Sequence, residues 1–246
     1  MDNKVVLITG ASKGIGAATA KVFASNNYNV VINYNSSEVE AKELSKELEQ
    51  NYSIKTLTVK CDVSNEVEVK NMVEKAIEVF GYIDVLINNA GIAIDTIFED
   101  KTVENFRRIL DVNLIGTFLV SKYVSNYMLK EKKGSIINVS STNGIDTYYP
   151  YSLDYDASKA GVISLTNNLA LQLSPYIRVN TVAPGWVNTE MNKELAVEYI
   201  EEENKKIILN RFGEPEEIAK VIYFLASEDA SYINSSIIRV DGGFKC

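Results

Sequence analysis

A chain of 246 residues with 25 Lys and Arg against 33 Asp and Glu has a formal charge of −8, which argues against a nucleic-acid surface and for small metabolites as partners. It contains no histidine, so Ser-His-Asp chemistry, Cys-His chemistry and histidine metal sites are excluded by inventory, and proton transfer must use other groups. Two cysteines, Cys61 and Cys246, are too few for a disulfide framework and suit a reducing compartment; with no signal-peptide pattern in MDNKVVLITG and no long apolar run, the expected setting is cytoplasmic, without a membrane span.

The first apolar run, Val5 to Ile8, reads as a strand covered on both faces, and similar runs recur at Val30 to Ile32, Val85 to Ile87 and Ile136 to Val139. Directly after the first comes TGASKGIG, where Gly10, Gly14 and Gly16 with Ser12, Lys13 and Ile15 form a strand-to-helix turn. Such a turn lets backbone N–H groups approach a pyrophosphate at a helix start. The spacing is G-x-x-x-G-x-G, and the position after the first strand is what makes it a dinucleotide signal.

The second strand ends VVINYNSSE, in Asn33, Tyr34 and Asn35, with no carboxylate before Glu38 to hold a ribose 2′-hydroxyl. Lys13 could pair with a 2′-phosphate, so NADP(H) is favoured and NAD(H) stays possible; the alternative is a Lys13 that points to solvent. At the end of the third strand, Asp62, followed by Val63, could accept from an adenine amino group or simply start the next helix. That helix carries Val69, Met72, Val73, Ala76, Ile77 and Phe80 on one face, with Ser64 or Asn65 as its N-cap. NNAG follows the fourth strand, where Asn89, Ala90 and Gly91 would bring backbone near a cofactor or form a plain turn.

In GSIINVSS a strand ends on Ser140 and Ser141, only one of which should face a site, because neighbouring strand residues point to opposite faces. The stretch YYPYSLDYDASK then holds four tyrosines, of which Tyr155 alone has a lysine, Lys159, one helical turn later. A phenol near its reference pKa of ~10 needs about 4 kcal/mol of phenolate stabilisation to titrate near neutrality, and a nearby ammonium supplies that sign of shift. Tyr148, Tyr149 and Tyr151 read as packing beneath or around a pocket rim. The next helix should bury Val162, Leu165, Leu169 and Leu173. APGWVNT is a turn shaped by Pro184 and Gly185.

Strand and helix alternate from residue 4 to residue 240 without a linker or repeat. The expected fold is therefore α/β: one doubly wound parallel sheet with helices on both faces, 1–246 as a single domain, its ligand outside the carboxyl ends of the strands. Residues 186–215 interrupt the alternation as a helix-rich insertion, either a cover over the site or extra surface helices.

Taken in order, the glycine turn, CDVS, NNAG, DVNLIGTF, SIINVSS, Tyr155 with Lys159, VNTVAPGWVNT and RVDGG resemble the short-chain dehydrogenase/reductase family along nearly the whole chain. The resemblance implies a Rossmann-type domain, a nicotinamide dinucleotide and a homotetramer. It implies Tyr155 as general acid in carbonyl reduction, Ser141 as the group orienting the carbonyl, and Lys159 as the residue that binds the nicotinamide ribose and lowers the phenol pKa. Asn113 would hold a proton-relay water through a helix distortion; the alternative is a polar mid-helix residue. Val187 and Thr189 would hold the carboxamide.

Within the family the texture is most similar to bacterial 3-oxoacyl-(acyl-carrier-protein) reductases, in segments shared with sugar and polyol dehydrogenases. Docking of an acidic carrier protein is doubtful, because LALQLSPYIRVN has no cation before Arg178 and only KEKK at 130–133 offers positive charge. Tyr155 stands fourteen positions after Ser141, one more than the family pattern, which leaves the substrate open. A dinucleotide sensor without turnover is the remaining alternative, and the complete set of Ser141, Tyr155 and Lys159 speaks against it.

Overall fold

The computed structural model describes residues 3–193 and 195–244, without the side chain of Met191; Cys246 lies outside the described residues, and Cys61 is buried. Each apolar run becomes a strand. β1 (Val5–Ile8) leads through the glycine turn into α1 (Gly14–Ser25), then β2 (Asn29–Tyr34), α2 (Glu38–Asn51), β3 (Thr56–Lys60), α3 (Glu66–Phe80) and β4 (Val85–Asn88). After a long connection come α4 (Val103–Leu110), a π-helical turn over Asp111–Ile115, α5 (Gly116–Glu131), β5 (Gly134–Val139) and α6 (Leu153–Leu173). β6 (Ile177–Pro184), α7 (Val197–Lys206), α8 (Pro215–Ala226) and β7 (Ile237–Val240) close the order.

The seven strands are all parallel, in the order β3-β2-β1-β4-β5-β6-β7. Because side chains alternate along a strand, Val6 and Ile8 join one core with α1, α2 and α8, while Val5 and Leu7 join the other with α3, α5 and α6. Covered on both faces, these strands have no polar side to show, which is why the runs are continuous rather than alternating. Each fully buried Val, Leu or Ile contributes about 1.5–3 kcal/mol. Chain order reverses between β1 and β4, so a crevice opens at their carboxyl ends.

Asn65 caps α3, accepting from the N–H of Val67 and of Glu68, and Val69, Met72, Val73 and Ala76 form its buried face. α6 departs from its expected stripe: it buries Val162, Thr166, Ala170 and Leu173 while Leu165 and Leu169 stay partly exposed. The reason is close approach. A side chain at Gly161 would stand 2.8 Å from Leu114 of the π-helical turn, so small residues face inward and leucines sit on the flank. No helix among the described residues is long and apolar enough to cross a membrane.

Polar side chains tie the carboxyl ends of the central strands together. Asn88 donates to Asn138 (2.8 Å) and to Ser121 (2.9 Å), Asn138 donates to Thr166 (2.8 Å), and Thr181 donates to Thr166 (2.7 Å). All five are buried, so each lost partner leaves a desolvated group behind. Asn138→Leu should therefore lower stability by about 2–4 kcal/mol, read as a reduced urea midpoint at unchanged m-value. A midpoint equal to that of the parent would show that this chain of bonds contributes nothing.

Candidate active site

The glycine turn is built by backbone geometry. Gly10 and Gly14 adopt φ of +60° and +54°, which side-chain-bearing residues rarely enter, and Gly16 is buried at the start of α1. Lys13 occupies the N-cap without a side-chain cap bond and the first turn holds no carboxylate, so the helix presents its N–H groups and positive dipole end to the crevice. Ser12 lies partly exposed in the same turn and Ile15 packs against the α1 core while lining the cavity.

Thr9 accepts from the N–H groups of Asn89 (2.9 Å) and Ala90 (3.0 Å), and Asn89 donates back to the carbonyls of Thr9 (3.0 Å) and Gly10 (3.1 Å). Thus the turns after β1 and β4 are stitched into one rim with Gly91 at its edge. Asn33, expected as a cofactor contact, is spent inside the protein. It accepts from Gly10 N–H (3.1 Å) and donates to the Cys61 carbonyl (3.0 Å), because at 1% exposure its amide must be satisfied by backbone.

Asp62, expected near adenine, is likewise engaged. It accepts from the Ser64 backbone (3.0 Å), the Ser64 hydroxyl (2.6 Å) and Arg108 (3.1 Å). Burial pushes its pKa up, but the bonds from Ser64 and Arg108 outweigh this and hold it below the usual carboxylate range. Val63 is buried against Gly116. Lys13 pairs with Glu40 at 2.7 Å, both partly exposed, so it neither points free into solvent nor is fixed in the cavity.

A cavity of about 590 Å³ runs from Gly10 and Gly14 past Asn89, Ala90 and Gly91 to Ser141, Tyr155 and Lys159, and on to Tyr149, Trp186 and Leu195. Ser140 and Ser141 divide as strand geometry requires: the Ser140 hydroxyl is consumed by the Lys159 carbonyl (2.8 Å), whereas Ser141 lines the cavity together with Tyr155. Asn143 steadies Ser141 by donating its N–H to Oγ at 3.2 Å, and Asp156 in turn accepts from Asn143 Nδ2 at 2.8 Å. Neither Asn143 nor Asp156 was singled out from the sequence; the only signal was their place between the serine pair and the helix.

Lys159 is 4% exposed and donates to the Val139 carbonyl (2.9 Å), the one hydrogen bond its ammonium makes among the described residues. Its Nζ stands 5.4 Å from the centre of the Tyr155 ring. The expectation that it lowers the phenol pKa is not met in the protein alone. Burial pushes Tyr155 up to about 12, opposed by the Ser141 hydroxyl, and burial pulls Lys159 down to about 8, because each charged form loses its water.

The π-helical turn places Asn113 where its amide accepts from Ile92 N–H (2.9 Å) and donates to the Ile92 carbonyl (3.0 Å) and Ser158 (3.0 Å). Its side chain therefore clamps the segment after β4 onto α6. Pro184, Gly185, Val187 and Thr189 line the opposite wall. Val187 is 4% exposed, and Gly185 donates to the Val240 carbonyl (3.1 Å).

Of the four clustered tyrosines, Tyr148 is exposed, while Tyr149 lines the cavity and meets Tyr151, Trp186 and Tyr199 edge-on at 5.3, 6.1 and 6.3 Å. Trp186 also stacks on Phe212 at 5.4 Å and donates to buried Glu203 at 3.0 Å, anchoring α7 over this end; burial and then Glu203 raise the Tyr199 pKa. The expected insertion over 186–215 thus contains α7 and an aromatic wall. Asp95, missed in the sequence, also lines the cavity, its pKa raised by burial and by Asp154 and Asp156. Nothing in its spacing marked it.

The residues present fit a dinucleotide: a glycine turn at a helix N-terminus, a stitched backbone rim and a buried ammonium with N–H bonds to spare all face one continuous cavity. The family model described as enoyl-(acyl carrier protein) reductase matches residues 10–245. A 3-oxoacyl-[acyl-carrier-protein] reductase of Thermotoga maritima is 42% identical over 99% of this chain and 98% of its own. Glucose 1-dehydrogenase 2 of Bacillus subtilis is 38% identical over 99% and 95%. Among solved structures, a mutant form of a short-chain dehydrogenase/reductase of Serratia marcescens superposes with a TM-score of 0.93 at 32% identity, covering 99% of this chain and 98% of its own. With the family model matching residues 10–245 and relatives of about 40% identity covering nearly its whole length, the chain belongs to the short-chain dehydrogenase/reductase family, as an NAD(P)-dependent oxidoreductase whose relatives include 3-oxoacyl-(acyl-carrier-protein) reductases.

Proposed function

We propose that the protein reduces a carbonyl to an alcohol with NADP(H), Tyr155 donating the proton. The observation that carries this reading is that Ser141, Tyr155 and Lys159 line one cavity that continues to the glycine turn. When bound, the nicotinamide supplies the hydride. Ser141 and Tyr155 together offer two hydroxyls to one carbonyl oxygen, and the high pKa of Tyr155 keeps its proton in place at neutral pH until charge develops on that oxygen. Lys159 keeps spare N–H donors for a ribose, and Asn113 holds the segment after β4 in place. Residues 186–215 cover the substrate end. The homotetramer implied by family membership accords with Ile115, Phe118 on α5 and Leu171 on α6 standing exposed as large apolar side chains.

NADP(H) is favoured because Lys13 is held only by the partly exposed Glu40, a partner readily exchanged for a 2′-phosphate, and because Asn35 and Ser36 lie exposed after β2 where an NAD site would place a carboxylate. A carrier-protein substrate is disfavoured. Lys130, Lys132 and Lys133 precede β5 and so lie at the end of the sheet opposite Ser141, while the Arg178 guanidinium is occupied by the carbonyls of Leu225, Ala226, Ser227 and Ile233. Asp95 favours a second reading, a hydroxylated sugar or polyol substrate, since a carboxylate in the cavity wall accepts from hydroxyls.

NADPH oxidation followed with simple ketones, a 3-oxoacyl thioester and aldoses should reveal turnover, and Tyr155→Phe should reduce kcat by about 10²–10⁴-fold. Full activity in that variant would remove the proposed proton donor; tight NADPH binding with no turnover of any substrate would favour the sensor. Glu40→Gln should lower the KM for NADPH about twofold to fivefold and leave that for NADH unchanged. The cofactor assignment fails if the wild type saturates at lower NADH than NADPH.

Stability offers a separate check. Because Lys159 titrates at about 8 when folded and near its ordinary 10.5 when unfolded, holding its charge costs stability in full below pH 8, and the cost fades as pH rises toward 10.5. Lys159→Met should thus raise stability by about 1–2 kcal/mol at pH 7, after loss of the Val139 bond, and the gain should disappear by pH 10.5. A variant that is destabilised at pH 7, or equally stabilised at both pH values, contradicts the buried-charge account.

A further inference from the structure

We infer that Lys101 and Asp154 act as a positioning pair that fixes the substrate wall of the cavity against the helix carrying Tyr155. This rests on Tyr155 as the proton donor. The two side chains lie 3.0 Å apart at 4% and 0% exposure. A pair so far from water has no general advantage for stability, because desolvation offsets most of the attraction and an apolar pair often serves as well. What distinguishes it is the set of segments it joins.

From the connection between β4 and α4, the Lys101 ammonium donates to the Ile94 carbonyl (2.7 Å), the Tyr151 carbonyl (3.2 Å) and Asp154 Oδ1 (3.0 Å). Its three N–H bonds are used on three stretches: the segment after β4, the turn before α6, and the first turn of α6 itself. The same Asp154 oxygen accepts the Tyr155 N–H at 3.0 Å, and Thr96 N–H reaches the Tyr151 carbonyl at 3.1 Å. Asp154 directly precedes Tyr155, and Ile94 directly precedes the cavity residue Asp95. One cation therefore sets the distance between the proton donor and the wall that a carbonyl substrate must touch.

The glycine turn and the Lys159–Val139 contact lie outside this set. Loss of the pair should accordingly disturb the substrate and spare the cofactor. Trp186, the only tryptophan in the chain, packs on Tyr149 in the turn that Lys101 holds, so its emission reports the wall directly.

The test is a Lys101→Met/Asp154→Leu double variant, which leaves no unpaired charge, with NADPH binding measured by quenching of Trp186 and rates expressed per NADPH-binding site. With acetoacetyl-N-acetylcysteamine, or the ketone of highest wild-type turnover, as probe, KM should rise about tenfold or more while the NADPH Kd stays within about threefold. Trp186 emission should shift at unchanged far-UV circular dichroism. Asp154→Asn, which keeps an acceptor for both Lys101 and the Tyr155 N–H, should restore KM to within about threefold of wild type. If the double variant binds no NADPH, Lys101→Gln, which keeps a shorter donor without the charge, is judged by the same rise in KM. Wild-type KM, kcat and emission per binding site would show that the pair serves stability alone and overturn the inference. Unimpaired turnover by Tyr155→Phe would instead overturn the reading beneath it.

Discussion

One ammonium, that of Lys159, is the constraint around which the catalytic end is arranged. It is carried into a region with almost no water, where its charge is costly, and a single strand-end carbonyl, that of Val139, holds it there. The helix that delivers it is locked by its neighbours. Ser140 donates to the Lys159 carbonyl, and Ser158 is bonded by Asn113 from the π-helical turn. The lysine is thus positioned by β5, α6 and the π-helical turn together, and its unused N–H groups define where a polar ligand must come.

Around it the protein separates two tasks often assigned to the same residues. Thr9, Asn33, Asn89 and Asn113 are polar residues at the crevice, yet their hydrogen bonds go to backbone groups of adjoining segments and, for Asn113, to Ser158 as well. They shape the rim. Contact is left to the glycine turn, to Lys159 and to the hydroxyls of Ser141 and Tyr155. This division follows from burial: a side-chain amide removed from water must be satisfied permanently, so it cannot wait for a ligand.

The substrate end is organised differently. It consists of an aromatic wall, Tyr149 with Trp186, Tyr199 and Phe212, of Asp95 in the cavity wall, and of carboxylates at Asp154 and Glu203 whose burial sets them apart from surface acids. The acidic total of the chain gave no hint of this arrangement, because most of the excess charge lies on solvated helix faces. Arg178 and Lys101 likewise count as cations in the composition while serving as internal ties.

By itself the sequence determined the parallel sheet, since continuous apolar runs such as Val5–Ile8 and Ile136–Val139 can only be strands covered on both faces, and it determined the glycine turn and the pairing of Tyr155 with Lys159, whose spacing is local to one turn or one helix. It could place Ser141 ahead of Ser140 only by family resemblance and strand alternation. Tertiary structure alone decided what depends on groups far apart in the chain: that Asn33 bonds the Cys61 carbonyl and Arg108 reaches Asp62, that burial raises the Tyr155 pKa instead of Lys159 lowering it, and that Lys101 meets Asp154. Propensity and spacing report on neighbours within a few residues, whereas desolvation and the partners of a buried polar group are set by whichever segments the fold packs against it.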